Sequence, residues 1–134
     1  MTRVPELLAA GVPVAFGQDC VMDPWYAGGS GDMLEVAHMG LHVAQMTGQA
    51  AMRQCFDAVT TTPARILGLE GYGLDVGCRA ALVLLQASDV VEAIRLRATR
   101  LLVIRGGHIV ATTPAATAAL HLPGRPAMVD WRRS

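Results

Sequence analysis

The sequence predicts an α/β chain: the end of a larger parallel sheet or barrel, followed by a small β unit. Three observations carry this. An all-apolar run between glycines, Val12–Phe16, is followed at once by a polar loop and then by strong helical patterns. After Gly68 the pattern changes to short apolar runs and a Gly-Gly pair. The 134 residues are 52% hydrophobic and only 16% charged, against a usual charged share of about 25%. A small domain buries only about two thirds of the surface its unfolded chain exposes. A chain this apolar is therefore expected to lay part of its surface against further polypeptide.

The elements follow in order. Pro5–Ala10 predicts the end of a helix with Gly11 as its stop. Val12–Phe16 predicts a short buried parallel strand. Gln18–Gly31 predicts a loop, punctuated by Asp23-Pro24 and Gly28-Gly29. Asp32 caps a helix running to about Met46, and a second helix covers about Gln49 to Val59. Thr62-Pro63 opens a third, short helix with proline in its first turn. Beyond Gly68, Ala80–Leu85 predicts a strand and Val90–Ala98 a short helix. The stretch RLLVIRGGHIVAT, from Arg100 to Thr112, predicts a hairpin turning on Gly106-Gly107. The tail holds three prolines and ends VDWRRS. A single buried parallel strand needs neighbours on both edges, so the first fifty residues read as the end of something larger.

Charge and cysteine content exclude several classes. Net charge is zero, which argues against a nucleic-acid backbone as partner. Residues 1–67 carry three Arg and six acids; residues 68–134 carry eight Arg and five acids; there is no lysine. No stretch approaches the roughly 20 apolar residues of a membrane span. Cys20, Cys55 and Cys78 are odd in number, form no CxxC pair and follow no secretory signal. A reduced, cytoplasmic setting is the expectation.

The chemical candidates each have an ordinary explanation beside them. Asp19 sits just past the apolar run, where barrel enzymes place reactive groups. A carboxylate there can bind a metal or accept a proton from water; it can equally shape a turn. His38 and His42 have the four-residue spacing of a metal pair. With Asp32, Glu35 and Gln45 they also form one polar stripe at helical spacing, the mark of a wet or interfacial face. Cys20 is a nucleophile only if a base is near; most free cysteines pack. Trp25 and Tyr26 can line a pocket or plug one. GGSGD at Gly28–Asp32 lacks the lysine and spacing of a phosphate loop.

Taken together, TRVPELLAAGVPVAFGQDCVMDPWY, GDMLEVAHMGLHVAQMTG, TTPARILGLEGYGLDVGCRAALVLL and RGGHIVATT resemble the bacterial cytosine deaminases of the amidohydrolase superfamily, from Thr2 to about Thr113. The resemblance implies an α/β fold: the C-terminal fragment of a (β/α)8 metal-dependent hydrolase barrel with part of a small β-sandwich. Residues 1–67 would hold the last barrel strand and flanking helices, and residues 68–134 the sandwich portion and tail. It implies deamination of cytosine, 5-methylcytosine or a related free heterocycle by attack of metal-bound hydroxide, with iron or zinc as the metal. Asp19 would be the catalytic proton acceptor and a metal ligand. Trp25 would belong to the loop closing over the substrate.

Cys20 stands where cytosine deaminases carry an Asp against the substrate ring, which predicts acceptance of a 5-methyl group. Gln18 stands where a His is common, and Ala81 where relatives carry Asp or Asn. The HxH pair, a later His and a Glu are expected upstream of Met1, so the chain alone is expected to be inactive. The expected partners are a small pyrimidine-like molecule and, when complete, further copies of the enzyme; nucleic acid and membrane are not expected. Two other readings stand beside this one. The chain is a non-catalytic remnant or a subunit completing a split barrel, or it is a free-standing metal binder using Asp19, His38 and His42.

Overall fold

In the computed structural model, residues 2–129 form five short helices and two small antiparallel sheets. The helices are α1 (Val4–Ala9), α2 (Met33–Val43), α3 (Gln49–Asp57), α4 (Thr61–Ile66) and α5 (Val90–Leu96). The strands are β1 (Leu82–Leu85), β2 (Arg100–Arg105), β3 (His108–Thr112), β4 (Ala118–Ala119) and β5 (Met128–Val129).

Local chemistry sets the helix boundaries. The Asp32 carboxylate accepts from the backbone N–H of Leu34 and Glu35 at the start of α2, and Asp89 does the same for Val91 and Glu92 at the start of α5. Such a cap satisfies donors that the first helical turn leaves open. At the other end, α1 stops on Gly11 (φ +75°), where Val12 N–H bonds back to Leu7 O. α2 makes the same left-handed turn without a glycine, at Gln45 (φ +55°), and Met46 N–H returns to Leu41 O at 2.7 Å.

The core is built where the two halves of the chain meet. Leu34, Ala37 and Leu41 of α2 pack with Val4, Met46, Cys55 of α3, and Ala93, Ile94 and Ala98 from in and just beyond α5. Ile94 is fully buried, a placement worth about 1.5–3 kcal/mol for a side chain of this kind. Contacts of α5 with both α2 and α3 carry the packing across residue 67. The sheet order is β1-β2-β3, all antiparallel, with Arg105 opposite His108 across the Gly106-Gly107 turn. Both turn glycines have positive φ, +56° and +79°, as a two-residue hairpin turn requires.

Two sequence expectations change. Val12–Phe16 forms no strand. Among the described residues no parallel pair exists for it to join, and an apolar run becomes a strand only by pairing. Val14 and Phe16 pack against the core instead, and Phe16 N–H bonds to Ala58 O at 2.8 Å. In the tail, β4 and β5 pair Ala118 with Val129 and Ala119 with Met128, where no strand was expected. The last part of VDWRRS, residues 130–134, lies outside the described residues.

Candidate active site

The loop from Gly17 to Gly31 is strung between two anchors. At its start, the Phe16 ring lies on α2: a Cβ on Gly40 would meet a ring carbon at 2.4 Å. At its end, Asp32 caps α2 and also holds Arg100 of β2 through two guanidinium–carboxylate hydrogen bonds.

Between the anchors the loop is folded on itself. Gln18 Nε2 donates to Cys20 O at 2.8 Å. Met22, with φ +51°, donates its N–H to Gly28 O, and Asp23 N–H donates to Tyr26 O. One oxygen of Asp23 accepts from both Trp25 N–H and Tyr26 N–H, each at 2.9 Å. This is the turn an Asp ahead of proline favours. Tyr26 folds back over Gly28, where a Cβ would sit 2.9 Å from its ring.

Asp19 and Cys20 are therefore neighbours on one loop, Asp19 exposed and Cys20 half-buried. The hydrogen bond to Asp23 pushes the Cys20 thiol above its ordinary range, with burial and the charge of Asp19 acting the same way. The same bond, together with the Tyr26 and Trp25 N–H groups, holds the Asp23 carboxyl below its ordinary range. Cys20 thus stays a protonated thiol at neutral pH, unlike the thiolate that nucleophilic chemistry needs. Trp25 is brought onto the same turn, and it is 87% exposed.

A cleft of about 590 Å3 opens between residues 15–18 and α2. Phe16, Gln18 and Tyr26 line one side, and Val36, Met39 and Val43 the other; Asp19, Cys20 and Trp25 are not among its walls.

His38 and His42 do meet edge to face, ring centroids 4.8 Å apart. His38 Nδ1 lies 3.2 Å from Ile94 O, at the last turn of α5, so this ring serves helix packing. No group of three or more His, Cys, Asp or Glu side chains able to hold a metal is gathered among the described residues. Asp19 is not joined there by the two histidines. No helix among the described residues is long and apolar enough to cross a membrane.

Sequence reasoning took Asp23 only as a mark of the turn, without its role in organising the loop, and passed over Arg100, which anchors it. Asp-Pro was a readable signal for the first. Nothing local announces the second, whose partner lies 68 residues away.

Comparison with known proteins gives this geometry a context. A solved structure of 5-methylcytosine deaminase from Klebsiella pneumoniae, liganded with 5-fluorocytosine, matches with a TM-score of 0.82 at 38% identity, covering 93% of this chain and 30% of that one. N-isopropylammelide isopropylaminohydrolase from Burkholderia multivorans matches with a TM-score of 0.79 at 39% identity, over 84% of this chain and 29% of that one. Among curated relatives, the N-isopropylammelide isopropyl amidohydrolase of Pseudomonas sp. (strain ADP) is 33% identical over 108 residues. The pterin deaminase of Rhizobium rhizogenes is 34% identical over 111 residues. The chain spans 27% and 25% of the length of those two proteins. The model of the Amidohydrolase family matches residues 1–111, and the chain belongs to that family.

Proposed function

We propose that this chain is the C-terminal part of a metal-dependent aminohydrolase acting on cytosine, 5-methylcytosine or a related free heterocycle, and that it belongs to the end of a (β/α)8 barrel. The observation that carries this reading is the match over 93% of the chain, at 38% identity, to an enzyme named 5-methylcytosine deaminase. The relatives act on small ring compounds by their names: cytosines, an ammelide and a pterin.

Members of the superfamily depend on a metal. A catalytic metal needs about three protein donors, and this chain gathers no such set among its described residues. It does not fit a metal by itself; Asp19 would be one donor toward a site shared with other polypeptide. In that site the exposed Asp19 carboxylate would take a proton from water as its oxygen adds to the amine-bearing ring carbon, and that proton would return to the amino nitrogen as the C–N bond breaks and ammonia departs. Cys20 would face ring position 5. A neutral, weakly polar thiol packs like a small hydrophobe, so it would receive a methyl that a carboxylate would crowd. Trp25 would close over the base.

The test is a chimera. The last three tenths of the Klebsiella enzyme are replaced by this chain, and ammonia release from cytosine and 5-methylcytosine is measured. The chain alone is expected to release none, and the chimera is expected to be active and to accept the methylated base. Deamination by the chain alone, or a well-folded inactive chimera, would overturn the reading. The second outcome would favour a non-catalytic remnant, which the missing ligand set also fits.

A further inference from the structure

The bond between Asp32 and Arg100 joins two parts of the chain that share no sequence neighbourhood. Asp32 directly follows the loop that carries Asp19, Cys20 and Trp25, and its carboxylate caps α2. Arg100 opens β2, in the sheet that holds none of the candidate residues. The guanidinium takes one carboxylate oxygen on each of two nitrogens, the fork geometry that fixes direction as well as distance. Both side chains are about seven-tenths covered. The neighbouring Ser30 hydroxyl bonds Glu35 at 2.5 Å, which tightens the same corner.

We propose that Arg100 is a positioning residue for the candidate site: by gripping Asp32 it sets where α2 begins, and so fixes the far end of the Asp19–Trp25 loop. The small sheet then contributes to the site without supplying a reacting group. The importance of that loop rests on the proposed deaminase reading, but the test needs no activity, so the two can fail separately.

The measurement is backbone amide exchange by mass spectrometry on the 134-residue chain, kept dilute, for wild type and variants side by side. Asp32→Asn keeps a helix cap and removes the charge pair; Arg100→Gln removes it from the other side. Each is expected to quicken exchange about two- to five-fold across residues 20–35, the range for a partly exposed pair, while the β2–β3 hairpin stays unchanged. Arg100→Lys keeps the charge without the fork and is expected to fall between Gln and wild type. The double variant is expected to do no more than either single one, as for two ends of one interaction. Unchanged exchange in the loop, an equal rise in α3, α5 and the hairpin, or fully additive singles would each overturn the proposal.

Discussion

Asp19 concentrates the chemistry proposed for this chain in one carboxylate at the start of a self-bonded loop. In the chimera, Asp19→Asn is expected to lower kcat/KM by at least about 10²-fold, the low end for a general base, and to lower bound metal measured on the same sample. Activity and metal content near wild type would make Asp19 a turn residue. For Cys20 the proposed role predicts a change in a different quantity. One methyl in a fitted pocket is worth about 1–3 kcal/mol, or about 10–200-fold in specificity. Cys20→Asp is therefore expected to swing the ratio of kcat/KM values from 5-methylcytosine toward cytosine. A ratio that stays put while thermal stability moves would mean that Cys20 only packs. The sequence made both residues visible, because each stands in a motif. It marked Asp23 as a turn residue but not the bonds to Trp25, Tyr26 and Cys20 by which it arranges the loop around them.

At the scale of elements, the helices were readable because their ends are chemically marked: Asp32 before α2, Pro63 within the first turn of α4, Gly11 after α1. The β2–β3 hairpin was readable from its two glycines. The run Val12–Phe16 was not, since apolar character reports burial whereas a strand needs partners outside the run. What holds that run in place is Phe16 against Gly40, which makes a local prediction. Gly40→Ala puts a Cβ 2.4 Å from the ring and is expected to displace it, at about 1–3 kcal/mol for overpacking. Limited proteolysis between residues 12 and 18 should quicken. Gly17→Ala, whose Cβ would meet nothing within 4 Å, should not change it. The start of α2 also carries a pH dependence. Burial opposes ionisation of Asp32, yet the Arg100 bond and charge with the Leu34 and Glu35 N–H groups outweigh it, and its carboxyl lies below the ordinary range. A carboxyl lowered on folding stabilises above its unfolded pKa, near 3.9, and loses that contribution as pH falls through the lower folded value. Helical signal should accordingly fall on acidification below about pH 4, and by less in Arg100→Gln.

For the whole molecule, surface area is the telling quantity. The chain exposes 9704 Å2, where a compact monomer of 14.1 kDa would expose about 6,700 Å2. Much of the excess is apolar: Met22, Trp25, Leu67, Leu74 and Val76 are each at least 70% exposed. Faces of this kind mark contact with other polypeptide. The isolated chain is expected to bind an apolar fluorescent dye strongly and to self-associate as its concentration rises, measured by light scattering. A monomer that stays dispersed at high concentration with little dye bound would contradict the proposal that the chain is part of a larger barrel. The high hydrophobic fraction announced this surplus, but only the folded arrangement assigns it to the loops and the open sheet face.

Cys55 gives that arrangement a built-in clock. It is fully buried among α2, α3 and α5, its sulfur 3.9 Å from that of Met46, and burial pushes its thiol above the ordinary range. Cys20 and Cys78 are half-buried and reachable from outside. Alkylation of the intact chain should therefore run in stages: Cys78 first, Cys20 more slowly because its thiol is held protonated, and Cys55 only as fast as the helices part. The lag before the third label times the opening of the core directly, with no residue introduced for the purpose.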